Sequence, residues 1–300
     1  GRTRGTILIV GENGTGKELV ARAIQECAAV PAAPFVALNC AAIPKDLIES
    51  ELFGYKKGAF SGANAEYLGL FRAAEGGTLF LDEVTEMAPE TQSKLLRAVQ
   101  ERTVRPVGST REVPVDVRLV ASSNRDPEEA VRSGSLRQDL YYRLQANVLK
   151  VPPLRERIED IPLLVEHFIA FFNEKLQPKV MVAGIGADAL EAMQRHLWPG
   201  NVRELSNAIE SAFTFSHSSI IGLDDLPAAV VASRPEQSSQ SPNGAAQETT
   251  RVLPIGSFAE AEREIISRAL RATDGNKVQA AALLRISRKK LYAKIEKYGI

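Results

Sequence analysis

The sequence has few cysteines, few histidines and no net charge. Its two cysteines, Cys27 and Cys40, cannot form a disulfide framework, and this scarcity favours a reducing compartment, which predicts a cytoplasmic location. Three scattered histidines and two cysteines do not make a zinc-binding pattern. No apolar run is long enough to span a membrane, and no signal peptide opens the chain, so we expect no membrane partner.

The charges balance overall but are unevenly distributed. The 37 basic and 37 acidic side chains cancel, so net charge gives no argument for a nucleic-acid partner. Residues 263–300, however, contain ten Lys or Arg and only three Asp or Glu. A basic C-terminal segment on an acidic remainder favours a polyanionic partner for that segment alone. Apolar and charged fractions of 44% and 25% are ordinary globular values.

Apolar β-branched runs alternate with helical patterns in the first half of the chain. Thr6–Val10 (TILIV) has the composition of a buried parallel strand. Further strands are predicted at Phe35–Leu38, Leu79–Leu81 and Val115–Ala121, with helices at Lys17–Ala29 and Pro89–Glu101. This alternation predicts an α/β fold over residues 1–157, with a parallel sheet sandwiched by helices.

The strand signals stop near Ile158. Helical patterns at Ile161–Leu176, Ala187–His196 and Val202–Ser216 predict a helical lid over residues 158–232. Residues 233–256 are rich in Ser, Gln, Pro and Gly and predict a flexible linker, with an ordered long loop as the alternative. Three short helices, Phe258–Ala272, Lys277–Leu284 and Arg288–Lys297, then predict an all-α domain over residues 257–300.

A glycine-rich turn, GENGTGKE, joins the first strand to the first helix. It matches the G-x-x-x-x-G-K pattern of a phosphate-binding loop, in which backbone N–H groups and the helix N-terminus surround phosphate oxygens. Lys17 is expected to reach the outer phosphates. A turn without a ligand is the alternative, and the strand context argues against it. The candidate nucleotide-binding residues are Gly11, Glu12, Asn13, Gly14, Thr15, Gly16, Lys17 and Glu18.

Two carboxylates follow the apolar strand in GGTLFLDE (Gly76–Glu83). Ligands bind at the carboxyl end of strands in an open α/β sheet. Asp82 is therefore a candidate Mg²⁺ ligand, directly or through water, and Glu83 a candidate for activating the attacking water. A solvated strand end is the alternative interpretation for such a pair taken alone.

The sequence GAFSGA contains two glycines, three other small residues and one large apolar side chain, Phe60. This composition predicts a hairpin tip, and an exposed Phe there indicates a partner. The alternative is that Phe60 folds back into the core. The candidate partner-contact residues are Gly58, Ala59, Phe60, Ser61, Gly62 and Ala63.

The C-terminal segment Gly275–Ile300 carries its basic residues on one predicted helix. Leu291 and Ile295 lie four residues apart and are expected to face inward. Basic residues at the start of a helix suit a recognition helix in the DNA major groove, and a basic bundle that binds protein is the alternative. The candidate DNA-binding residues, including the N-caps Asn276 and Ser287, are Asn276, Ser287, Arg288, Lys289, Lys290, Tyr292 and Lys294.

Together these motifs resemble the sigma-54-dependent transcriptional activators from about Thr6 to Ala232. The segment SELFGYKKGAFSGA resembles the family's GAFTGA loop, with Ser61 in place of the usual Thr. The turn GENGTGKE resembles the family's GESGTGKE, in which Glu18 is the usual residue. The C-terminal segment resembles the Fis-type helix-turn-helix of these activators. The resemblance implies an AAA+ fold that uses ATP and Mg²⁺.

The resemblance also implies roles for single residues. Ser123 and Asn124 match the sensor I position, which reads the γ-phosphate. Asn39 matches an asparagine proposed to hold Glu83 in a switch. Arg137 and Arg143 match the arginine fingers that reach into a neighbouring subunit, and Arg203 matches the sensor II arginine of the lid.

By the same resemblance, we expect an activator that binds enhancer double-stranded DNA. It would assemble as a homo-oligomer, a dimer when inactive and a hexameric ring when active, and remodel the closed complex of sigma-54 RNA polymerase. One alternative is a DNA-bound regulator that lacks sigma-54 activation, and another is a P-loop kinase or other remodelling protein. We also expect an upstream region, because few residues precede the first strand. A phospho-receiver (two-component) domain, a ligand-sensing domain or no regulatory domain there would each imply a different control.

Overall fold

The computed structural model describes residues 5–28, 32–176, 181–215 and 218–232, together with eight positions near the C-terminus. Those positions are Ile266, Leu270, Thr273, Lys277, Gln279, Leu291, Lys294 and Ile295. The chain divides into two compact units, Gly1–Glu236 and Gln237–Ile300. No helix in the described ranges combines the length and apolarity needed to cross a membrane.

The first unit contains nine strands, ten α-helices and five short 3₁₀-helices in its described residues. The strands are β1 (Ile7–Val10), β2 (Phe35–Asn39), β3 (Thr78–Asp82), β4 (Thr103–Val104), β5 (Val113–Pro114), β6 (Arg118–Ser123), β7 (Val148–Lys150), β8 (Gly184–Ile185) and β9 (Ile220–Ile221). The helices are α1 (Lys17–Glu26), α2 (Lys45–Phe53), α3 (Leu70–Ala73), α4 (Pro89–Glu101), α5 (Pro127–Arg132), α6 (Gln138–Leu144), α7 (Ile161–Leu176), α8 (Ala187–Arg195), α9 (Asn201–Phe215) and α10 (Ala228–Val231).

A parallel five-stranded sheet with strand order β2-β3-β6-β1-β7 forms the centre of this unit. Its register aligns the carboxyl ends of neighbouring strands, since Asn39 pairs with Asp82 and Val10 pairs with Ser123. The residues that end β1, β2, β3 and β6 therefore lie along one edge of the sheet. Ligand sites of open α/β sheets form at that edge.

Both faces of the sheet are buried, which confirms the predicted α/β sandwich. Leu79 and Leu81 of β3 contribute to a core with residues of α2, α4 and α6, whereas Phe80 between them faces a second core that includes Ala21 of α1. Successive strand residues point to opposite faces, so a continuous apolar run fills both layers.

A separate core follows the sheet and is built by α7, α8 and α9. Trp198, the single tryptophan, is completely buried there and donates its indole N–H to the backbone oxygen of Met193 at 2.7 Å. The preceding residue, Leu197, is exposed and lies outside this core. The predicted helical lid is therefore observed, although its boundaries at residues 158 and 232 remain a prediction.

Some strands and one helix end differ from the sequence-based expectations. The strand predicted at Val115–Ala121 lies at Arg118–Ser123, because Val115 N–H donates to Arg102 O and Asp116 N–H to the Glu75 carboxylate instead of to a strand. The edge strand β7 was not predicted, since it is short and its residues are exposed. Helix α1 ends at Glu26 rather than at Ala29.

The C-terminal unit shows helix at the described positions of each predicted helix. Ile266 and Leu270 are helical in the first, Lys277 and Gln279 in the second, and Leu291, Lys294 and Ile295 in the third. Leu291 is buried and Ile295 half-buried, as their spacing predicts. Of the candidate DNA-binding residues, only Lys294 is described, and it is half-buried. Six others, Asn276, Ser287, Arg288, Lys289, Lys290 and Tyr292, lie outside the described residues, as does the predicted linker 233–256.

We predict that Trp198→Ala lowers the free energy of unfolding of the lid by roughly 3–5 kcal/mol, because it leaves a large cavity in a closed core. Urea unfolding followed by circular dichroism measures this change. Leu197→Ala is the matched control and should cost less than about 0.5 kcal/mol, since Leu197 is 70% exposed. A loss of similar size in both variants would contradict the assignment of Trp198 to the lid core.

Candidate functional site

The turn between β1 and α1 adopts a conformation that only glycine tolerates well. Gly14 and Gly16 have φ angles of 77° and 97°. A Cβ atom on Gly14 would lie 2.2 Å from the backbone oxygen of Gly200, so no side chain fits there. Gly16 caps α1 without any side-chain hydrogen bond, which leaves the N–H groups of the first helical turn available to an anion.

Lys17 is buried at the start of α1. Its Nζ donates to the backbone oxygens of Gly11 at 2.8 Å and Glu12 at 3.1 Å. Burial lowers the pKa of Lys17, and the charges of Asp82 and Glu83 oppose that shift. The ammonium group therefore stands beside two carboxylates in a partly desolvated place, where its charge acts strongly on a ligand.

Asp82 ends β3 and is held by polar side chains of both neighbouring strands. Ser122 of β6 donates its hydroxyl to Asp82 Oδ1, and Asn39 of β2 donates its amide to Asp82 Oδ2 at 3.4 Å. Ser122 also accepts a hydrogen bond from the backbone N–H of Glu83 at 3.1 Å. Sequence reasoning named Ser123 and missed Ser122, although the polar run at the end of β6 is a signal that could have indicated it.

Glu83 follows Asp82 in a left-handed backbone conformation, with φ 59° and ψ 52°. A residue other than glycine seldom adopts this conformation, and such strain is concentrated at functional sites. Asn124, after β6, donates its amide to Glu83 Oε1 at 3.3 Å, while its own Oδ1 is buried without a partner among the described residues.

Asn39 lies closer to Asp82 than its expected role implies. Its amide contacts Asp82, and its Oδ1 accepts from the N–H groups of Ala41 and Ala42. The amide that contacts Glu83 belongs to Asn124. The structure thus places one asparagine on each carboxylate.

One cleft of about 340 Å³ brings Lys17, Asp82, Glu83 and Asn39 together, whereas Ser122 and Asn124 are not among its lining residues. Arg203 of α9 also lines it. The remaining lining residues are Asn13, Gly14, Gly16, Glu18, Phe168, Val202, Ser206 and Asn207. The side chains of Glu12 and Thr15 turn away from it: Thr15 donates to the Glu12 backbone oxygen, and the Glu12 carboxylate faces the lid.

The lid is attached to the phosphate-binding turn through Asn201, the first residue of α9. Asn201 is buried and has a left-handed φ of 54°. Its amide donates to Glu12 Oε2 at 3.1 Å and to the Asn13 backbone oxygen at 3.0 Å, while its oxygen accepts from Leu154 N–H. Arg155 adds two hydrogen bonds to the Glu12 carboxylate, at 2.6 and 2.8 Å. These hydrogen bonds attach the phosphate-binding turn both to the start of α9 and to the segment Leu154–Arg155.

The donor set fits a magnesium nucleotide. Uncapped helix N–H groups and Lys17 would receive phosphate oxygens, and Asp82 offers the hard oxygen ligand that Mg²⁺ prefers. Asn124, which donates to Glu83, keeps its own Oδ1 buried and without a partner among the described residues, so an unsatisfied acceptor lies beside that carboxylate.

Comparison with known proteins agrees with this geometry. Residues 2–150 match the Sigma-54 interaction domain, residues 155–243 the AAA+ ATPase lid domain, and residues 257–298 the Fis family of bacterial regulatory proteins. The chain is 46% identical over 294 residues to the transcriptional regulatory protein ZraR of Salmonella typhimurium, covering 97% of this chain and 63% of that protein. It is 42% identical over 322 residues to NtrC of a Bradyrhizobium strain, covering 98% and 65%.

A solved structure shows the same likeness. The crystal structure of NtrX from Brucella abortus in complex with ATP superimposes with a TM-score of 0.73 at 33% identity, covering 99% of this chain and 64% of that chain. The chain belongs to the sigma-54-dependent activator family. It combines an AAA+ domain, its lid and a Fis-type helix-turn-helix, and it spans about two-thirds of the length of these relatives.

The two predicted arginine fingers lie outside the cleft. Arg137 precedes α6 and Arg143 lies in its last turn; both are exposed, and neither lines the cleft that contains Lys17. Arg137 pairs with Asp139 in two hydrogen bonds of 3.1 and 2.7 Å, which raise the pKa of the guanidinium. Neither arginine is part of the cleft of its own subunit.

The family's loop GAFSGA forms a tight tip held by two backbone bonds, Gly58 N–H to Ala63 O and Ala63 N–H to Phe60 O. Phe60 is 42% exposed and packs edge-on against Tyr55, with ring centroids 5.0 Å apart. It is thus neither fully exposed nor folded into the core. Ser61 is exposed at the tip.

We predict that Glu12→Gln reveals the ion pair with Arg155 through its pH dependence. Hydrogen bonds from Arg155 and Asn201 lower the pKa of Glu12 from 4.5 to about 2. A lowered folded-state pKa contributes stability above about pH 4.5 that is lost as pH falls through about 2. The variant should therefore lose less than ~1 kcal/mol at neutral pH, because the pair is 40% exposed, and the difference should shrink progressively below about pH 4.5.

Urea unfolding of wild type and Glu12→Gln across this pH range measures the difference. Glu191→Gln, which removes the exposed lid pair with Arg195, is the control for an ion pair that does not touch the turn. If the difference in unfolding free energy between wild type and Glu12→Gln stays constant down to about pH 2.5, the assigned pairing of Glu12 is wrong.

Proposed function

We propose that this chain is the motor and DNA-binding part of an activator that hydrolyses ATP to remodel sigma-54 RNA polymerase. The observation that carries the proposal is the single cleft shared by Lys17, Asp82 and Glu83. Two relatives are named as regulatory proteins, and the NtrX structures are described in complex with ATP and with ADP. The ATP-driven mechanism rests on the geometry and on family membership together.

Hydrolysis in this cleft would use the two carboxylates differently. Glu83, held by Asn124, would accept a proton from a water molecule whose oxygen attacks the γ-phosphorus, and the bond to the β–γ bridging oxygen would break to release ADP. Lys17 and the N–H groups of the turn would hold the phosphates. Asp82 would hold Mg²⁺, which when bound neutralises phosphate charge.

The second half of the catalytic site would come from another subunit. Arg137 and Arg143 are exposed and lie outside their own cleft, so each could reach a nucleotide bound next door, Arg137 by exchanging its pairing with Asp139. A guanidinium there would neutralise charge in the transition state. The proposal therefore requires a ring of subunits in head-to-tail contact, with six copies by family resemblance.

The chain segment after Glu83 and two backbone hydrogen bonds connect the cleft to the loop GAFSGA. Helix α4 follows the short turn after Glu83, and the β4–β5 hairpin follows α4. Val107 in that hairpin exchanges backbone hydrogen bonds with Gly54 and Lys56 at the base of the loop, at 2.8 and 3.0 Å. A shift at Glu83 can thus reach Phe60 through packed elements, and we propose that the tips contact sigma-54.

The C-terminal unit would deliver the motor to enhancer DNA. Its match to the Fis family and the surplus of basic residues after Arg263 support a helix-turn-helix that reads the major groove. Lys294 is the one candidate contact residue in the part of this unit that the structure describes.

We predict that Arg137→Ala lowers kcat for ATP hydrolysis by about 10³-fold or more while nucleotide binding stays within about threefold of wild type. The variant loses transition-state charge neutralisation but keeps its own cleft. Steady-state ATPase assays and fluorescent-nucleotide titration measure the two quantities. Arg132→Ala, on neighbouring α5, is the matched control. Normal hydrolysis by Arg137→Ala would contradict the proposed shared site.

We also predict that Phe60→Ala separates hydrolysis from activation. ATPase activity should stay within about twofold, because Phe60 lies outside the cleft, whereas open-complex formation with sigma-54 polymerase should fall by roughly tenfold or more. Leu68→Ala, a change at a 50% exposed apolar residue beyond the loop, is the control and should retain both. Hydrolysis without open complexes in the wild-type protein would favour a regulator that lacks sigma-54 activation.

A further inference from the structure

Gln92 is a polar residue in an apolar helix face, and it is almost completely enclosed. It lies on α4 with 1% of its surface exposed. Its amide donates to the backbone oxygens of Met87 at 2.9 Å and Ser135 at 2.8 Å. Its side-chain oxygen accepts from the backbone N–H of Arg137 at 2.8 Å. The side-chain amide is thus fully engaged at both ends, with backbone partners only.

The three partners belong to two functional segments. Met87 ends the short turn that begins at Glu83, so its carbonyl belongs to the segment after the hydrolysing carboxylate. Ser135 and Arg137 flank Leu136, whose side chain is buried and whose N–H donates to Ala130 O. Two of the three bonds from Gln92 therefore hold the segment that carries Arg137 and starts α6.

This arrangement fixes the backbone of Arg137 independently of its side chain. The guanidinium pairs with Asp139 at the surface, and it can exchange that partner without moving the backbone N–H that Gln92 holds. An arginine that must meet a phosphate on another subunit needs a well-placed Cα, because small displacements of a catalytic group lower its rate contribution sharply. A buried amide with three aligned partners supplies that placement.

We propose that Gln92 is a positioning residue for Arg137, which sets the finger that each subunit offers to its neighbour. The inference rests on the proposed function, since it assigns a role within the shared ATPase site. Gln92 does not touch the nucleotide cleft of its own subunit. Its contribution should therefore appear in the neighbouring site, whereas the site of the same subunit should remain competent.

Mixing inactive subunits separates these two cases. Gln92→Met keeps the size of the side chain and removes all three bonds, and alone it should lower kcat at least ~10-fold with KM changed less than about threefold. Glu83→Gln alone should be inactive. The two variants are then mixed in equal amounts. At roughly a quarter of the ring interfaces, a Gln92→Met subunit supplies an intact cleft and a Glu83→Gln subunit supplies an intact finger, so ATPase activity should return.

The reciprocal mixture should stay inactive. Arg137→Ala subunits have intact clefts, but the fingers offered by Gln92→Met subunits are misplaced. The opposite result would overturn the proposal. If Gln92→Met regains ATPase activity when mixed with Arg137→Ala but not when mixed with Glu83→Gln, then Gln92 serves the cleft of its own subunit. Recovery with neither partner would also overturn it. A mixture of Glu83→Gln and Arg137→Ala tests the shared site itself. If the wild-type protein hydrolyses ATP but this mixture does not, the proposed function is refuted instead.

Two further variants separate positioning from folding. Gln92→Glu keeps an oxygen that can accept from Arg137 N–H but faces the carbonyl oxygens of Met87 and Ser135 with a buried carboxylate, so it should lower kcat at least as much as Gln92→Met and show the same mixing pattern. Gln25→Met is the matched control: Gln25 is another buried glutamine, bonded to Ala33 O and Thr78 Oγ1 away from α6. It should lower the melting temperature without creating a finger defect. Equal behaviour of the two Met variants in the mixtures would overturn the proposal.

Discussion

The buried ammonium group of Lys17 lies in one cleft with the carboxylates of Asp82 and Glu83, and the surrounding structure holds these charges in place. Isolated charges of either sign would be costly at a partly desolvated sheet edge. The parallel register stabilises these charges. It brings the ends of β1, β3 and β6 together and places the polar groups of Ser122 and Asn39 on Asp82. A nucleotide with its metal would complete this balance.

Close packing and hydrogen bonds join the phosphate-binding turn to the lid beside this cleft. Gly14 has no room for a side chain against Gly200, and Asn201 bonds both the turn and the start of the lid. The lid therefore cannot rotate about this junction without breaking hydrogen bonds to the phosphate-binding turn. Arg203 of α9 enters the cleft from the lid side, so lid position and nucleotide contact are linked through a few buried polar groups.

Local patterns predicted the phosphate-binding turn, the carboxylate pair and helices α1, α4, α7, α8 and α9, because those features depend on neighbours in sequence. Gln92 and Asn201 could not be found in this way, since each takes its meaning from partners tens of residues away. The strand at Arg118–Ser123 was misplaced for the same reason: its preceding residues bond to Arg102 and Glu75, which no periodicity reveals. Family resemblance supplied the finger residues, and the structure shows only that they lie outside their own cleft.

The central claim is that Lys17, Asp82 and Glu83 together receive one magnesium nucleotide. A crystal structure of the protein with ADP, Mg²⁺ and a γ-phosphate mimic tests it most directly. The account predicts that Lys17 Nζ exchanges the backbone oxygens of Gly11 and Glu12 for phosphate oxygens, with the metal next to Asp82 and a water next to Glu83. A nucleotide bound elsewhere, or bound in this cleft with Lys17 still on those carbonyls and no metal near Asp82, would contradict it.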